Sequence, residues 1–164
     1  MGTGLDIFTL LHVGISLAAI ASGFVVVFGM IMNKRLDAWT AFFLATTVAT
    51  SVTGFGFPIV KFTPGLAIGG LSLLVLAFTI YARFSRRLAG IWRRVYVITA
   101  MIAFYFNFLV LIVQSFQKVA FLKALAPTQS EPPFLIAQIV AMLAFIVLGV
   151  LATMRFKGGP VGVK

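Results

Sequence analysis

Five long apolar runs separated by polar turns dominate this chain of 164 residues. They lie over roughly Ile7–Met32, Trp39–Val60, Thr63–Tyr81, Ile91–Phe116 and Phe134–Met154. Each is close to the ~20 residues that an α-helix needs to cross a ~30 Å hydrocarbon core. Asn33–Ala38 joins the first two runs and Lys61-Phe62-Thr63-Pro64 joins the second to the third, with Pro58 and Pro64 breaking the pattern beside them. Turns this short make neighbouring helices antiparallel. The pattern therefore predicts an all-α polytopic membrane protein, a single domain built as a bundle of five transmembrane helices. The longest connection, Gln117–Pro133, opens with a stretch over Lys118–Leu125 that is amphipathic enough either to continue helix four or to lie along the interface. The tail over 158–164 is expected to be disordered.

Composition reinforces the membrane reading. The hydrophobic share is 62% and the charged share 10%, against about 25% charged in a typical soluble domain. A net charge of +10 would suggest nucleic acid in a soluble protein, but these cations sit in short loops between apolar runs. The orientation rule for membrane helices and attraction to anionic headgroups account for them without a nucleic-acid partner. Lys34, Arg35, the five arginines between positions 83 and 94, Arg155, Lys157 and Lys164 share one side, ten of the thirteen cations. Lys61, Lys118 and Lys123 fall on the other. That asymmetry puts the N-terminus outside and the C-terminus in the cytoplasm. The first run is too long for a signal-peptide core and is followed, not preceded, by basic residues, so no cleavable leader is expected. Asp6 stands where a myristoylation signal needs Ser or Thr.

Polar side chains are few and concentrated. On helix one His12, Ser16, Ala19 and Gly23 fall on one stripe, beside a small-residue row of Gly14, Ala18 and Ser22. Helix two carries Thr46, Thr50 and Thr53 on one face, with Thr47, Ser51 and Gly54 next to it. Helix three opens on the GxxxG of Gly65–Gly69, followed by Ser72, and helix four aligns Asn107 with Gln114 and Lys118. Helix five offers Gln138. Small rows let membrane helices approach closely and hydroxyls back-bond to their own helix, so packing explains much of this pattern. Depth adds information. With alternating helix directions, His12, Ser72, Gln138, Thr50–Thr53 and Asn107–Gln114 lie in the outer half, His12 roughly 7–10 Å and Asn107 roughly 12–15 Å below the boundary. The inner half is almost wholly Val, Leu, Ile, Phe and Ala. The expectation is a polar pocket open to the outside and plugged by apolar side chains towards the cytoplasm.

The chemistry available there is narrow. There are no cysteines, one histidine and three acids, Asp6, Asp37 and Glu131, all near helix ends. No His-Asp-Ser or His-Glu spacing emerges, which points away from an enzyme. Absent buried carboxylates and a polar inner path also argue against proton-coupled transport and conduction. His12 can be read as a neutral structural histidine, as a proton or ligand group donating to a quinone-like or other carbonyl, or as a metal or haem ligand. One histidine cannot supply both axial ligands of a haem, so that reading needs a dimer or a methionine. The expected site is His12, Ser16, Thr50, Thr53, Asn107, Gln114 and Gln138, binding a small apolar or carbonyl ligand, with no catalytic or metal residue assigned and the cofactor left open. The alternative is a structural or accessory subunit that docks on itself or on a larger membrane complex.

Leu11-His12, Ala21-Ser22-Gly23, the basic turn that follows and Thr53-Gly54 late in helix two resemble a family of small uncharacterised bacterial integral membrane proteins. Its members carry Leu-His near the start of helix one and Ser-Gly further along it. The resemblance covers the first two helices and implies a bacterial inner membrane. At the second turn Asp37-Ala38-Trp39 stands instead of another histidine, so a two-histidine cofactor site does not carry over.

Overall fold

The computed structural model describes residues 3–58 and 64–159. Among them every regular element is helical: α1 Thr3–Ile31, α2 Asp37–Gly54, α3 Pro64–Ile80, α4 Ile91–Lys118, α5 Ala120–Leu125 and α6 Pro132–Arg155. Helices satisfy their backbone polar groups internally, which hydrocarbon demands. Among the described residues four stretches are long and apolar enough to cross a membrane: Asp6–Ile31, Pro64–Ser85, Ile91–Lys118 and Pro132–Arg155. The second expected span, α2, has 18 residues but carries hydroxyls at Thr40, Thr46, Thr47, Thr50, Ser51 and Thr53, which lower its hydropathy.

The helix ends differ from the expected ones for local reasons. The second run does not continue to Val60; α2 stops at Gly54 in a turn where Phe55 N–H donates to Val52 and Gly56 N–H to Thr53. Residues 59 and 60 lie outside the described residues, as does the turn up to Thr63. Prolines open α3 and α6, because a proline in the first turn lacks only an N–H that has no helical partner anyway. The amphipathic stretch over Lys118–Leu125 does not continue α4 without a break. Val119 turns extended (ψ 114°) and the short α5 follows. In the next loop Thr128 and Ser130 present N–H and hydroxyl donors to the Glu131 carboxylate at 2.8–3.1 Å. Partial desolvation opposes ionisation there, yet these bonds hold the carboxyl below its ordinary value. Of the tail, Gly158 and Gly159 are irregular chain, and residues 160–164 lie outside the described residues.

α1, α2, α3, α4 and α6 pack in that order around a ring closing from α6 to α1, and α4 also reaches across to α1 and α2. Phe104 on α4 is fully buried at the centre. Its ring meets Phe24 of α1, Phe43 of α2 and Phe145 of α6 edge-on, with centroids 4.9, 5.9 and 4.9 Å apart. Edge-to-face contacts suit the aromatic quadrupole. Gly23 makes room for it: a Cβ there would stand 2.6 Å from the Phe104 ring. The lower part of the His12–Gly23 stripe is therefore a notch for an aromatic ring.

One end of the bundle gathers the cations. α3 runs into a π-turn over Tyr81–Ser85, in which Arg86 N–H donates to the Tyr81 carbonyl. Arg83 within it is only 4% exposed. It pairs with Asp37 in the first turn of α2 and lies over the Tyr96 ring at 5.2 Å. Arg35 also holds Asp37, at 2.9 Å. Asn33, with φ 56°, closes α1 in a Schellman turn, Lys34 N–H donating to Gly29 and Asn33 N–H to Met30, and its side chain accepts from Lys157 N–H. Arg93 donates to the Phe156 carbonyl just past α6. These contacts tie together the ends of all five long helices at this side.

Two outcomes follow. Gly23→Val should lower stability by about 1–3 kcal/mol, since the added atoms overpack against Phe104; thermal unfolding in mild detergent measures it, and an unchanged midpoint would refute the notch. Asp37→Asn should cost about 1–3 kcal/mol by leaving the Arg83 guanidinium buried without its counter-charge. Arg83→Met in the same background should restore much of that loss.

Candidate functional site

At the end opposite the cations, α1 to α4 splay around a cavity of about 520 Å³. The place follows from helix ends: α1 begins there, α2 leaves through its Gly54–Gly56 turn, and α3 starts only at Pro64. Gly69 lets α3 approach α2 there, against the Phe55 ring and the Ser51 carbonyl. His12 and Ser16 line the cavity from α1, Thr50 and Ser51 from α2, Ser72 from α3, and Asn107, Gln114, Ser115 and Lys118 from α4. Phe55, Phe57 and Phe106 and several aliphatic side chains make the rest of the wall.

Most hydroxyls near this cavity are already satisfied by their own helices. Ser16 donates to the His12 carbonyl at 2.7 Å, Thr50 to Thr46 at 2.9 Å, Ser51 to Thr47 at 3.0 Å and Ser115 to Leu111 at 2.7 Å. That is back-bonding, the economical state for a hydroxyl in hydrocarbon. Three groups stand apart. His12 Nδ1 lies 2.7 Å from Thr53 Oγ1, and its ring meets Phe57 edge-on at 5.2 Å. Asn107, 8% exposed, reaches Thr47 Oγ1 through Nδ2 at a long 3.4 Å. Ser72, 2% exposed, has no hydrogen-bond partner for its Oγ. A buried polar atom without a partner carries a desolvation cost, which a bound molecule or water in the cavity would relieve.

Of the seven residues expected from the sequence, His12, Ser16, Thr50, Asn107 and Gln114 line this one cavity. Thr53 stands one step behind, holding His12. Gln138 is not brought in. It sits on α6, which packs against α1 and α4 but contributes nothing to this wall, and its Oε1 is buried without a partner. Ser72 was absent from the expected set, although a hydroxyl just after GxxxG, in a helix whose one other hydroxyl is Thr79 near its far end, was a usable signal. The phenylalanines gave none, because an aromatic ring facing a cavity and one facing lipid look alike in sequence.

Among the described lining residues Lys118 is the one charged side chain, at the exposed rim, and there is no carboxylate. No three metal-ligating side chains gather anywhere among the described residues, and no methionine lines the cavity to pair with His12 on a haem iron. No family model, no curated protein and no solved structure matches this chain. In protein stripped of small molecules, Ser72→Ala should leave the thermal midpoint unchanged or raise it, by up to about 1 kcal/mol of stability, because it removes an unpartnered hydroxyl. A clear loss of stability in that state would mean that Ser72 has a protein partner.

Proposed function

We propose that this is a non-enzymatic membrane protein that binds a small lipid-soluble molecule in a cavity open to the outer face. The four long apolar helices support the coarse statement of a multi-pass membrane protein. As the fifth span we assign α2, whose 18 residues rise ~27 Å and whose hydroxyls largely bond to their own helix. The excess of cations around Asp37 and Arg83 orients that end to the cytoplasm, with the N-terminus outside. The resemblance of the first two helices favours a bacterial inner membrane. One observation carries the functional reading: a 520 Å³ cavity whose buried polar group, Ser72, is left without a partner.

Native mass spectrometry of gently extracted protein tests it. A bound small molecule is expected on the native chain and lost from Ser72→Phe, which fills the floor. A native chain free of adducts, with the filled variant merely more stable, would overturn the reading. The accessory-subunit alternative draws on a different feature, an apolar groove of about 570 Å³ between α4 and α6 lined by Met101, Met142, Gly149 and Met154. The same spectra separate the two, since a subunit would appear as an oligomer or with a partner chain.

A further inference from the structure

The hydrogen-bond polarity of the cavity narrows the class of molecule it takes; this step rests on the reading of the cavity as a binding site. Thr53 Oγ1 lies 2.7 Å from the Ala49 carbonyl, which can only accept, so the hydroxyl proton is directed there. The same oxygen, 2.7 Å from His12 Nδ1, then acts as the acceptor. A neutral imidazole has a single N–H, and with it on Nδ1 the other nitrogen, Nε2, keeps its lone pair. Asn107 turns one Nδ2–H to Thr47, which leaves its Oδ1 as an acceptor and its second N–H as a donor. Ser72 Oγ can serve in either role. At His12 the donor is thus committed to Thr53, and what remains for a ligand there is the Nε2 acceptor; Ser72, Asn107 and Gln114 keep donors elsewhere in the wall.

Charge and shape add two constraints. A cationic head would find no carboxylate among the described lining residues. An anionic head would be drawn to Lys118 at the rim, eleven residues and ~16 Å along α4 from Asn107, and would leave the deeper acceptors unserved. Phe55, Phe57 and Phe106 offer ring faces and edges to a planar group. We infer that the ligand is a neutral, lipid-soluble phenol or similar ring alcohol. Its hydroxyl donates to His12 Nε2 and its ring lies among these phenylalanines. A bare carbonyl of the same size would offer His12 Nε2 only another acceptor.

His12 is the only histidine in the sequence, so histidine labelled with ¹⁵N yields one imidazole to observe. The full chain in lipid nanodiscs, with empty nanodiscs as the partition control, is titrated with 4-nonylphenol and with 4-nonylanisole, which differs by methylation of the hydroxyl. The phenol should bind about tenfold more tightly, the ratio one well-made buried hydrogen bond supports. The Nε2 resonance should start in the lone-pair range and shift with the phenol, not with the ether. His12→Phe should abolish the preference. Should that variant not fold, Thr53→Val, which frees the Nδ1 proton to move to Nε2, should reduce it instead. Saturable binding with equal affinity for both compounds would overturn the phenol assignment while leaving the binding site standing. Decanoate displacing both would overturn it in favour of an anionic head at Lys118. No saturable binding of phenol, ether or decanoate would overturn the binding-site reading as well.

Discussion

The seat of Phe104 against Gly23 is the contact on which the rest of the bundle depends. Membrane helices gain nothing by burying apolar surface from lipid, so association relies on close packing and on polar groups that have nowhere else to go. Among the described residues Phe104 is the one ring that touches the α1, α2 and α6 aromatics together, and only a residue without a Cβ lets it approach α1 at position 23. This cluster fills the axis between the two ends. Everything below it is a packed, cross-tied floor, and above it the helices are free to diverge.

The two ends then solve the polar problem in opposite ways. At the cationic end the polar groups that cross between helices have counterparts: Arg83 has Asp37 and the Tyr96 ring, Asn33 has Lys157 N–H, and Arg93 has the Phe156 carbonyl. The π-turn is what carries Arg83 inward, since an extra residue per turn shifts side chains to another face. At the other end the hydroxyls bond to their own helices, and what is left over, on His12, Asn107 and Ser72, borders a cavity. A tightly paired end and an incompletely paired end in one small bundle are a reason to place binding at the second.

Much of this was legible in the sequence. Long apolar runs cannot fold as anything but helices in hydrocarbon, so the helical class and most of the element order follow from composition and run length. Periodicity also grouped His12 with Ser16, Thr50 with Thr53, and Asn107 with Gln114 on their respective faces, because residues on one helix keep a set angular relation whatever they pack against. Depth placed them all near one end. Gln138 was grouped with them on depth alone, and depth carries no information about azimuth. It belongs to the helix that closes the ring on the far side of α1 and α4.

What only the tertiary structure decided is which polar groups find partners. The stripe ending in Gly23 reads as a single packing face, yet its upper half borders a cavity and its lower half receives an aromatic ring. Thr53 behind His12, Ser72 without a partner, and Arg83 turned inward to Asp37 all depend on residues that are far apart in the chain. The sequence by itself determined the helices, their polar faces and the asymmetry of charge, because these are local properties of length, period and composition. Rotation and register between helices settled the cavity and which of its polar groups are paired, because a hydrogen bond needs two groups within about 3 Å, and periodicity within one helix says nothing about its neighbour.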